Sequence, residues 1–181
     1  EMIQQLNIKN ASVILGDYNQ LPLPSASIDA AFGLESLCHG EGTDKSEPLS
    51  EAYRVLKSGG RFTMIDGFLK KPESELSAIT KKMHQLVCEN WALTSFPNIN
   101  DLVYAVKQIG FREIKLEEIS WKVAPSAVHA PFLSIFYLVK SAFKKEKLKR
   151  QNWNNLKACF TIFFLGLSRK SIGYYKVTAK K

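Results

Sequence analysis

The chain has 181 residues, of which 45% are hydrophobic and 23% charged, and its formal net charge is +8. This composition excludes a disordered or fibrous protein, and the length suits one domain, residues 1–181, with a sizeable core. The three cysteines (Cys38, Cys88 and Cys159) are odd in number and include no CxxC pair. They exclude a disulfide framework and a cysteine zinc site, and they predict reduced thiols and a cytoplasmic location.

The first half of the chain alternates between strand and helix patterns. Residues 11–16 (ASVILG) and 28–34 (IDAAFGL) are short apolar runs, which predict two buried strands. Residues 48–57 carry apolar side chains on one helical face and precede Gly59-Gly60, so they predict a helix with a defined end. Residues 61–66 (RFTMID) predict a third strand.

The second half continues the alternation. Residues 73 to about 91 predict a helix, and a second helix is predicted from a cap at Asn100 or Asp101 to Gly110. Residues 112–123 predict a strand with a β-bulge near Glu117, where the alternation changes phase. Two apolar helices follow, and residues 172–179 (IGYYKVTA) predict the last strand.

Strands separated by helices predict an α/β domain with a doubly wound, mostly parallel sheet covered on both faces. In such sheets, ligands bind beyond the carboxyl ends of the strands. The candidate site therefore comprises Asp17 and Tyr18, residues 34–39 and residues 66–69.

Several short motifs follow one another at these strand ends, and the longest is EAYRVLKSGGRF at residues 51–62. They are Gly16-Asp17, Leu21-Pro22, Ser27-Ile28-Asp29, Glu35-Ser36 and residues 51–61. Together they resemble the middle of a class I S-adenosylmethionine-dependent methyltransferase, nearest to the small-molecule branch that includes sterol and tocopherol methyltransferases. The resemblance implies a Rossmann-like methyltransferase fold and S-adenosylmethionine as cofactor.

The resemblance also assigns cofactor-binding residues. It places Asp17 against the exocyclic amine of adenine and Tyr18 beside the ring, with Leu34 and Glu35 at the cofactor edge. A carboxylate accepts hydrogen bonds from an amine, and an aromatic ring stacks on a purine. From the residue pattern alone, Asp17 also fits a turn-capping role.

Glu35 and His39 are the candidate catalytic residues. Both follow the strand at residues 28–34, and sterol-type enzymes carry a similar Glu and His at this place. Histidine is suited to proton transfer near neutral pH. The alternatives are that Glu35 caps the next helix and that His39 is a surface loop residue. No metal site is expected, because the three histidines are scattered.

One departure from the family concerns the N-terminal side. The family's glycine-rich loop and its second, acid-ended strand have no counterpart before residue 11. The expectation is therefore an N-terminally truncated domain, preceded in the parent protein by about 50 to 80 further residues that carry both features. The alternative function is a non-catalytic methyltransferase-fold remnant that acts as an interaction module.

The segment before the last strand carries the expectations about partners. In the family, an insert here, at about residues 125–170, caps the substrate pocket. Its phenylalanines predict a small, apolar acceptor, although a phenylalanine stripe also fits plain core. Nucleic acid is not an expected partner, because no recognition motif is present. The insert's basic cluster fits a solvated helix end or peripheral contact with an anionic membrane surface; its members are Lys140, Lys144, Lys145, Lys147, Lys149 and Arg150.

Overall fold

The computed structural model describes residues 9–40, 42–143 and 148–181. Within these ranges the chain forms four strands and five α-helices. The strands are β1 (Ile28–Leu34), β2 (Leu56–Leu69), β3 (Arg112–Glu118) and β4 (Ile172–Lys180). The helices are α1 (Ser46–Val55), α2 (Ala78–Trp91), α3 (Ile99–Ile109), α4 (Ser120–Phe143) and α5 (Arg150–Leu167).

The four strands form one sheet in the order β1-β2-β4-β3. β1 runs parallel to β2, whereas β4 runs antiparallel to both β2 and β3. The α/β class is as predicted, but the described sheet is mixed rather than mostly parallel. Alternation of strand and helix patterns indicates which elements occur, but it does not give the direction in which the last strand enters the sheet.

One face of the sheet holds the main core. Alternate side chains of β2 and β4 point to this face and pack against the apolar sides of α1 and α3, which is the period-two pattern of a half-buried sheet. The strand members are Phe62, Met64, Phe68, Tyr175, Val177 and Ala179, and the helix members include Leu49, Leu102, Ala105 and Val106. A second cluster joins α2 to α5 around Val87 and Leu165, next to Leu69 and Ile172 near the strand ends.

The opposite face of the sheet is open at β1. Phe32 and Leu34 point outward, and 83% and 59% of their surface is exposed. The predicted doubly wound arrangement, with both faces covered, is therefore not seen within the described residues. The apolar alternation of a strand shows that its two faces differ, but it does not identify what covers each face.

The predicted strand at residues 11–16 is not formed. This segment makes no strand ladder, and its apolar side chains are exposed, by 83% at Val13 and by 100% at Leu15. A strand is stable only where its N–H and C=O groups find partners, and the described residues provide no neighbouring strand for this segment. An apolar run alone therefore predicted a strand that lacks a partner here.

The helix ends follow the predictions with small shifts. α1 begins and ends two residues earlier than predicted, and α2 begins at Ala78, where the Ser77 side chain accepts a hydrogen bond from the Thr80 N–H. The cap of α3 is Asn98 rather than Asn100 or Asp101. α3 stops at Gly110, as predicted, since φ of +111° at this residue suits glycine.

The predicted strand at residues 112–123 ends early. β3 stops at Glu118 and α4 begins at Ser120, so Trp121 and Val123 belong to a helix. The irregularity lies at Glu113, where φ is +50° and the pairing with β4 shifts, and not at Glu117. Alternation over only a few residues does not separate a strand from the first turn of a helix.

Candidate active site

The carboxyl ends of β1 and β2 meet at one edge of the sheet. Leu34 pairs with Ile65, and the Glu35 N–H donates to the Ile65 carbonyl over 2.9 Å. Glu35 and Asp66, which directly follow this pair, therefore emerge side by side. This is the edge at which parallel α/β units bind ligands.

Glu35 is held in an unusual conformation. Its φ is +46°, a left-handed value that is uncommon for residues other than glycine, and its side chain is exposed. The Tyr174 hydroxyl donates a hydrogen bond of 2.5 Å to Oε1 of Glu35, which ties the turn after β1 to β4. Burial, and to a smaller extent the hydrogen bond to Glu35, raises the pKa of Tyr174. The hydroxyl therefore remains a donor at neutral pH.

Tyr174 was not among the residues predicted from sequence. The pair Tyr174-Tyr175 lies in the last strand, and successive side chains of a strand point to opposite faces. Tyr175 enters the core next to Phe68, whereas Tyr174 reaches the site. The signal in the sequence was a pair of adjacent tyrosines in an otherwise alternating strand. The sequence did not indicate that Tyr174 binds Glu35, which lies 139 positions away.

Asp66 anchors the turn that follows β1. It is 4% exposed, its Oδ2 accepts the Cys38 N–H over 3.2 Å, and its Oδ1 accepts the Gly67 N–H over 2.8 Å. Burial raises the pKa of this carboxyl, although the backbone hydrogen bonds act in the opposite direction. Asp66 thereby holds the short 3-10 turn Leu37–His39 against the sheet.

Lys45 closes the same loop from the other side. Its side chain is fully buried, and its ammonium group donates to the carbonyls of Gly40 over 2.5 Å and Ser95 over 3.3 Å. Burial lowers the pKa of Lys45. Sequence reasoning missed this residue, since a lysine in a polar loop is ordinarily exposed.

Cys38 contacts Asp66 through its main-chain N–H, and its buried environment disfavours the thiolate. Burial, and secondly the charge of Asp66, raises its pKa to about 12. A thiol needs a lowered pKa to react at neutral pH. The Cys38 side chain therefore packs in the loop while its N–H binds Asp66.

The predicted cofactor residues Asp17 and Tyr18 lie in a tight turn. Oδ1 of Asp17 accepts the Asn19 N–H over 2.8 Å, so the turn-capping role is present. Tyr18 is half-buried against the loop after β1, since a Cβ atom added at Gly40 would lie 3.4 Å from its hydroxyl. Burial, and to a smaller extent the charges of Cys38 and Asp17, raises the pKa of Tyr18.

The segment after this turn is fixed by α1. The guanidinium of Arg54 donates to the carbonyls of Leu21 and Leu23, and it pairs with Glu51 over 2.7 Å. Oε1 of Glu51 also accepts the Leu21 N–H over 2.7 Å. These contacts position the backbone that leads from Tyr18 to β1, so the role of Arg54 is architectural.

The structure thus gathers most of the predicted site residues in one region. Leu34, Glu35 and His39 lie in and directly after the carboxyl end of β1, and Tyr18 packs against the same loop. His39 is exposed at the end of the 3-10 turn that Asp66 anchors. Asp17 sits beside Tyr18 but does not follow a strand. These positions leave the chemical roles of Glu35, His39, Asp17 and Leu34 as predictions.

Residues 1–64 of the chain match the family model described as the methyltransferase domain. The chain is also similar in sequence to individual methyltransferases. It is 26% identical over 170 residues to 27-O-demethylrifamycin SV methyltransferase of Amycolatopsis mediterranei, which covers 91% of this chain and 57% of the relative. It is 28% identical over 139 residues to the mitochondrial 2-methoxy-6-polyprenyl-1,4-benzoquinol methylase of Mus musculus, which covers 66% and 40%. The chain thus spans about half the length of these relatives.

Solved methyltransferase structures share the fold of this chain. Haemonchus contortus phosphoethanolamine N-methyltransferase 2 in complex with S-adenosyl-L-methionine superposes with a TM-score of 0.67 at 17% identity, over 91% of this chain and 36% of that one. Geranyl diphosphate C-methyltransferase from Streptomyces coelicolor, in complex with S-adenosyl-L-homocysteine, gives 0.65 at 13% identity, over 98% and 57%. The methyltransferase fold is confirmed, and the sterol and tocopherol branch stays a prediction.

Proposed function

We propose that this chain carries part of the active site of an S-adenosylmethionine-dependent methyltransferase that acts on a small molecule. The observation that carries the proposal is the pairing of Leu34 with Ile65, which brings Glu35 to the ligand-binding edge of the sheet. Tyr18 packs beside the same loop. The relatives named above support the reaction class.

The side chains at this edge fit the adenine end of the cofactor. One oxygen of Asp17 is engaged by Asn19, and the exposed carboxylate retains a second oxygen that suits an exocyclic amine. The Tyr18 ring and the exposed Leu34 side chain offer apolar surface to a purine. We therefore assign Asp17, Tyr18, Leu34 and Glu35 to cofactor binding.

When bound, S-adenosylmethionine supplies an electrophilic methyl carbon, and the chain's task is to align the acceptor and manage its proton. Glu35 is the proposed base: its carboxylate is exposed at the edge, and the Tyr174 hydroxyl fixes its orientation. His39, exposed in the adjoining turn, is the second candidate for proton transfer. Asp66 and Lys45 hold the loop that presents both residues.

The proposed acceptor is hydrophobic. The N-terminus of α4 begins beside the site, where the Ser120 hydroxyl accepts the Tyr174 N–H over 3.0 Å, and the next residue, Trp121, is 74% exposed. Two of the proteins named above have isoprenoid substrates by name, a polyprenyl benzoquinol and geranyl diphosphate. The phosphoethanolamine enzyme shares the fold, so the fold alone does not determine the acceptor.

Cofactor binding is tested by calorimetry with S-adenosylhomocysteine on this chain and on the full polypeptide of its reading frame. Asp17→Asn should weaken binding about tenfold, because it removes a charged acceptor. Asp29→Asn is the matched control, since Asp29 lies at the opposite end of β1 and pairs with Lys57. Absence of heat with both polypeptides would refute the cofactor assignment.

The acceptor and the base are tested by transfer of labelled methyl groups from S-adenosylmethionine. A short-chain prenylated 2-methoxybenzoquinol should be methylated, and phosphoethanolamine should not. Glu35→Gln should lower kcat by about a hundredfold or more at saturating cofactor, in addition to any weakening of cofactor binding, whereas Glu89→Gln, a change at an exposed residue of α2, should leave kcat unchanged. Equal turnover of the Glu35→Gln variant and the wild-type protein would exclude Glu35 as base.

A further inference from the structure

Helix α4 exposes its large apolar side chains and buries small ones, which is the opposite of the usual arrangement in a soluble domain. Its buried residues are Pro131, Ser134 and Ser141, whereas its large apolar residues are exposed. Six of the nine exposed large apolar side chains recur three, four or seven residues apart and form one stripe, roughly on the side opposite the buried residues, whereas Leu133, Ile135 and Tyr137 are exposed outside it. The stripe consists of Trp121, Val128, Phe132, Phe136, Val139 and Phe143, which are between 47% and 85% exposed.

Helix α5 carries a second exposed stripe. Trp153 is 47% exposed and Phe164 is 52% exposed, and Arg150 and Lys157 alternate with them at helical spacing. The two helices pack on each other, and Asn152 of α5 donates to the Tyr137 hydroxyl of α4 over 3.1 Å. Arg169, which follows α5, lies 3.7 Å from the centre of the Trp121 ring at the start of α4. Contiguous exposed apolar surface on this scale, from the α4 stripe and the exposed aromatic residues of α5, is typical of a binding surface.

The charge of this part of the chain favours an anionic partner. Residues 119–181 contain 13 of the 25 lysines and arginines but only one of the 17 acids, Glu146, which gives a net charge of +12 against −4 for residues 1–118. Lys122 and Lys140 flank the α4 stripe and are exposed, whereas Lys144, Lys145 and Lys147 lie outside the described residues. An apolar stripe bordered by cations complements an anionic lipid surface.

We infer that α4 and α5 dock the protein on an anionic membrane surface, with the aromatic stripe of α4 in the lipid interface and the flanking cations on the headgroups. α4 is long and apolar enough to cross a membrane by length and composition. Its N-terminus is nevertheless tied to the sheet, since Ile119 donates to the Tyr174 carbonyl over 2.8 Å, and its buried side packs on α5. The helix therefore lies on the surface instead of spanning it. This inference does not rest on the proposed methyltransferase activity.

The test is co-sedimentation of the full chain with vesicles of phosphatidylcholine alone or with equal parts of phosphatidylglycerol. The chain should bind only the anionic vesicles, and binding should weaken with salt because headgroup attraction is screened. Binding should also shift the fluorescence of Trp121 and Trp153 to shorter wavelengths. Equal binding to neutral vesicles, or absence of binding to anionic ones, would overturn the inference.

Paired variants separate the two contributions. Phe132→Glu with Phe136→Glu should weaken vesicle binding by about a hundredfold, and Lys140→Glu with Arg150→Glu by about tenfold or more. Ile79→Glu on α2, where the side chain is 69% exposed, and Lys107→Glu on α3 are the matched controls and should bind as the wild type does. Circular dichroism establishes that each variant is folded, and variants that bind as well as the controls would refute the assignment.

Two other binding partners of the α4 and α5 surface would give different results. If the stripe of α4 pairs with a second copy of the chain, sedimentation equilibrium without lipid will show a dimer that Phe132→Glu with Phe136→Glu dissociates. If the cations serve nucleic acid, the chain will shift an oligonucleotide and ignore anionic vesicles. Either result would overturn membrane docking.

Discussion

Replacement of Tyr174 by phenylalanine tests how the candidate base is held. The change removes one hydroxyl and leaves the ring, so it deletes the 2.5 Å hydrogen bond to Glu35 with little change in packing. A hydrogen bond to a charged partner contributes about 1.5–3 kcal/mol, and a value near the lower end of this range applies because Tyr174 is half-buried and Glu35 is exposed. We expect Tyr174→Phe to lower the free energy of unfolding by about 1–2 kcal/mol and the midpoint of thermal unfolding by about 3–6 °C.

The measurement is urea unfolding of a double-mutant cycle that combines Tyr174→Phe with Glu35→Ala. If the hydroxyl acts through Glu35, the coupling energy will be about 1–2 kcal/mol. Tyr175→Phe is the matched control in the same strand: its hydroxyl meets Glu118 at 3.3 Å, so its removal should cost less than about 1 kcal/mol. A coupling below about 0.3 kcal/mol would show that the two residues are neighbours without a functional hydrogen bond.

The buried groups make three more predictions. Burial raises the pKa of Cys38 to about 12 and that of Cys88 to about 11, so iodoacetamide at pH 8 should label the half-buried Cys159 first, as mass spectrometry of timed samples will show. Burial lowers the pKa of His84 below its unfolded value of about 6.5, so stability should be complete above that pH and fall as the pH drops toward the folded value. Urea unfolding from pH 8 to pH 5 checks this, and His84→Leu should lose that pH dependence. Leu102→Ala should lower the free energy of unfolding by about 2–5 kcal/mol, because Leu102 is 0% exposed in the main core, whereas truncation of the exposed Tyr104 should have little effect.

The sequence predicted the elements that local patterns determine. The stop of α3 at Gly110 and the last strand were correct, because glycine chemistry and period-two alternation act within a few residues. The motif of residues 51–62 lies within the segment that matches the methyltransferase domain model. The strand at residues 11–16 was wrong, because a strand depends on partners that its own sequence does not specify.

The candidate site was predicted in outline and not in detail. Glu35 lies after β1, as its strand-end motif predicted, and Tyr18 packs beside the same loop although the strand predicted before it is not formed; their chemical roles stay predictions. Tyr174 and Lys45 were missed because their roles depend on contacts between distant segments, such as the bond from Tyr174 to Glu35 across 139 positions. A lysine whose ammonium binds two carbonyls has no signature in the sequence, since the acceptors are backbone atoms brought close only by folding.

Tyr174 links three parts of the molecule. Its hydroxyl binds Glu35, while its own main-chain N–H and C=O bind the Ser120 hydroxyl and the Ile119 N–H at the start of α4. Any displacement of that helix end must either break these hydrogen bonds or carry Tyr174 with it. Tyr174 therefore provides a direct connection of hydrogen bonds from the start of α4 to the carboxylate proposed as the base.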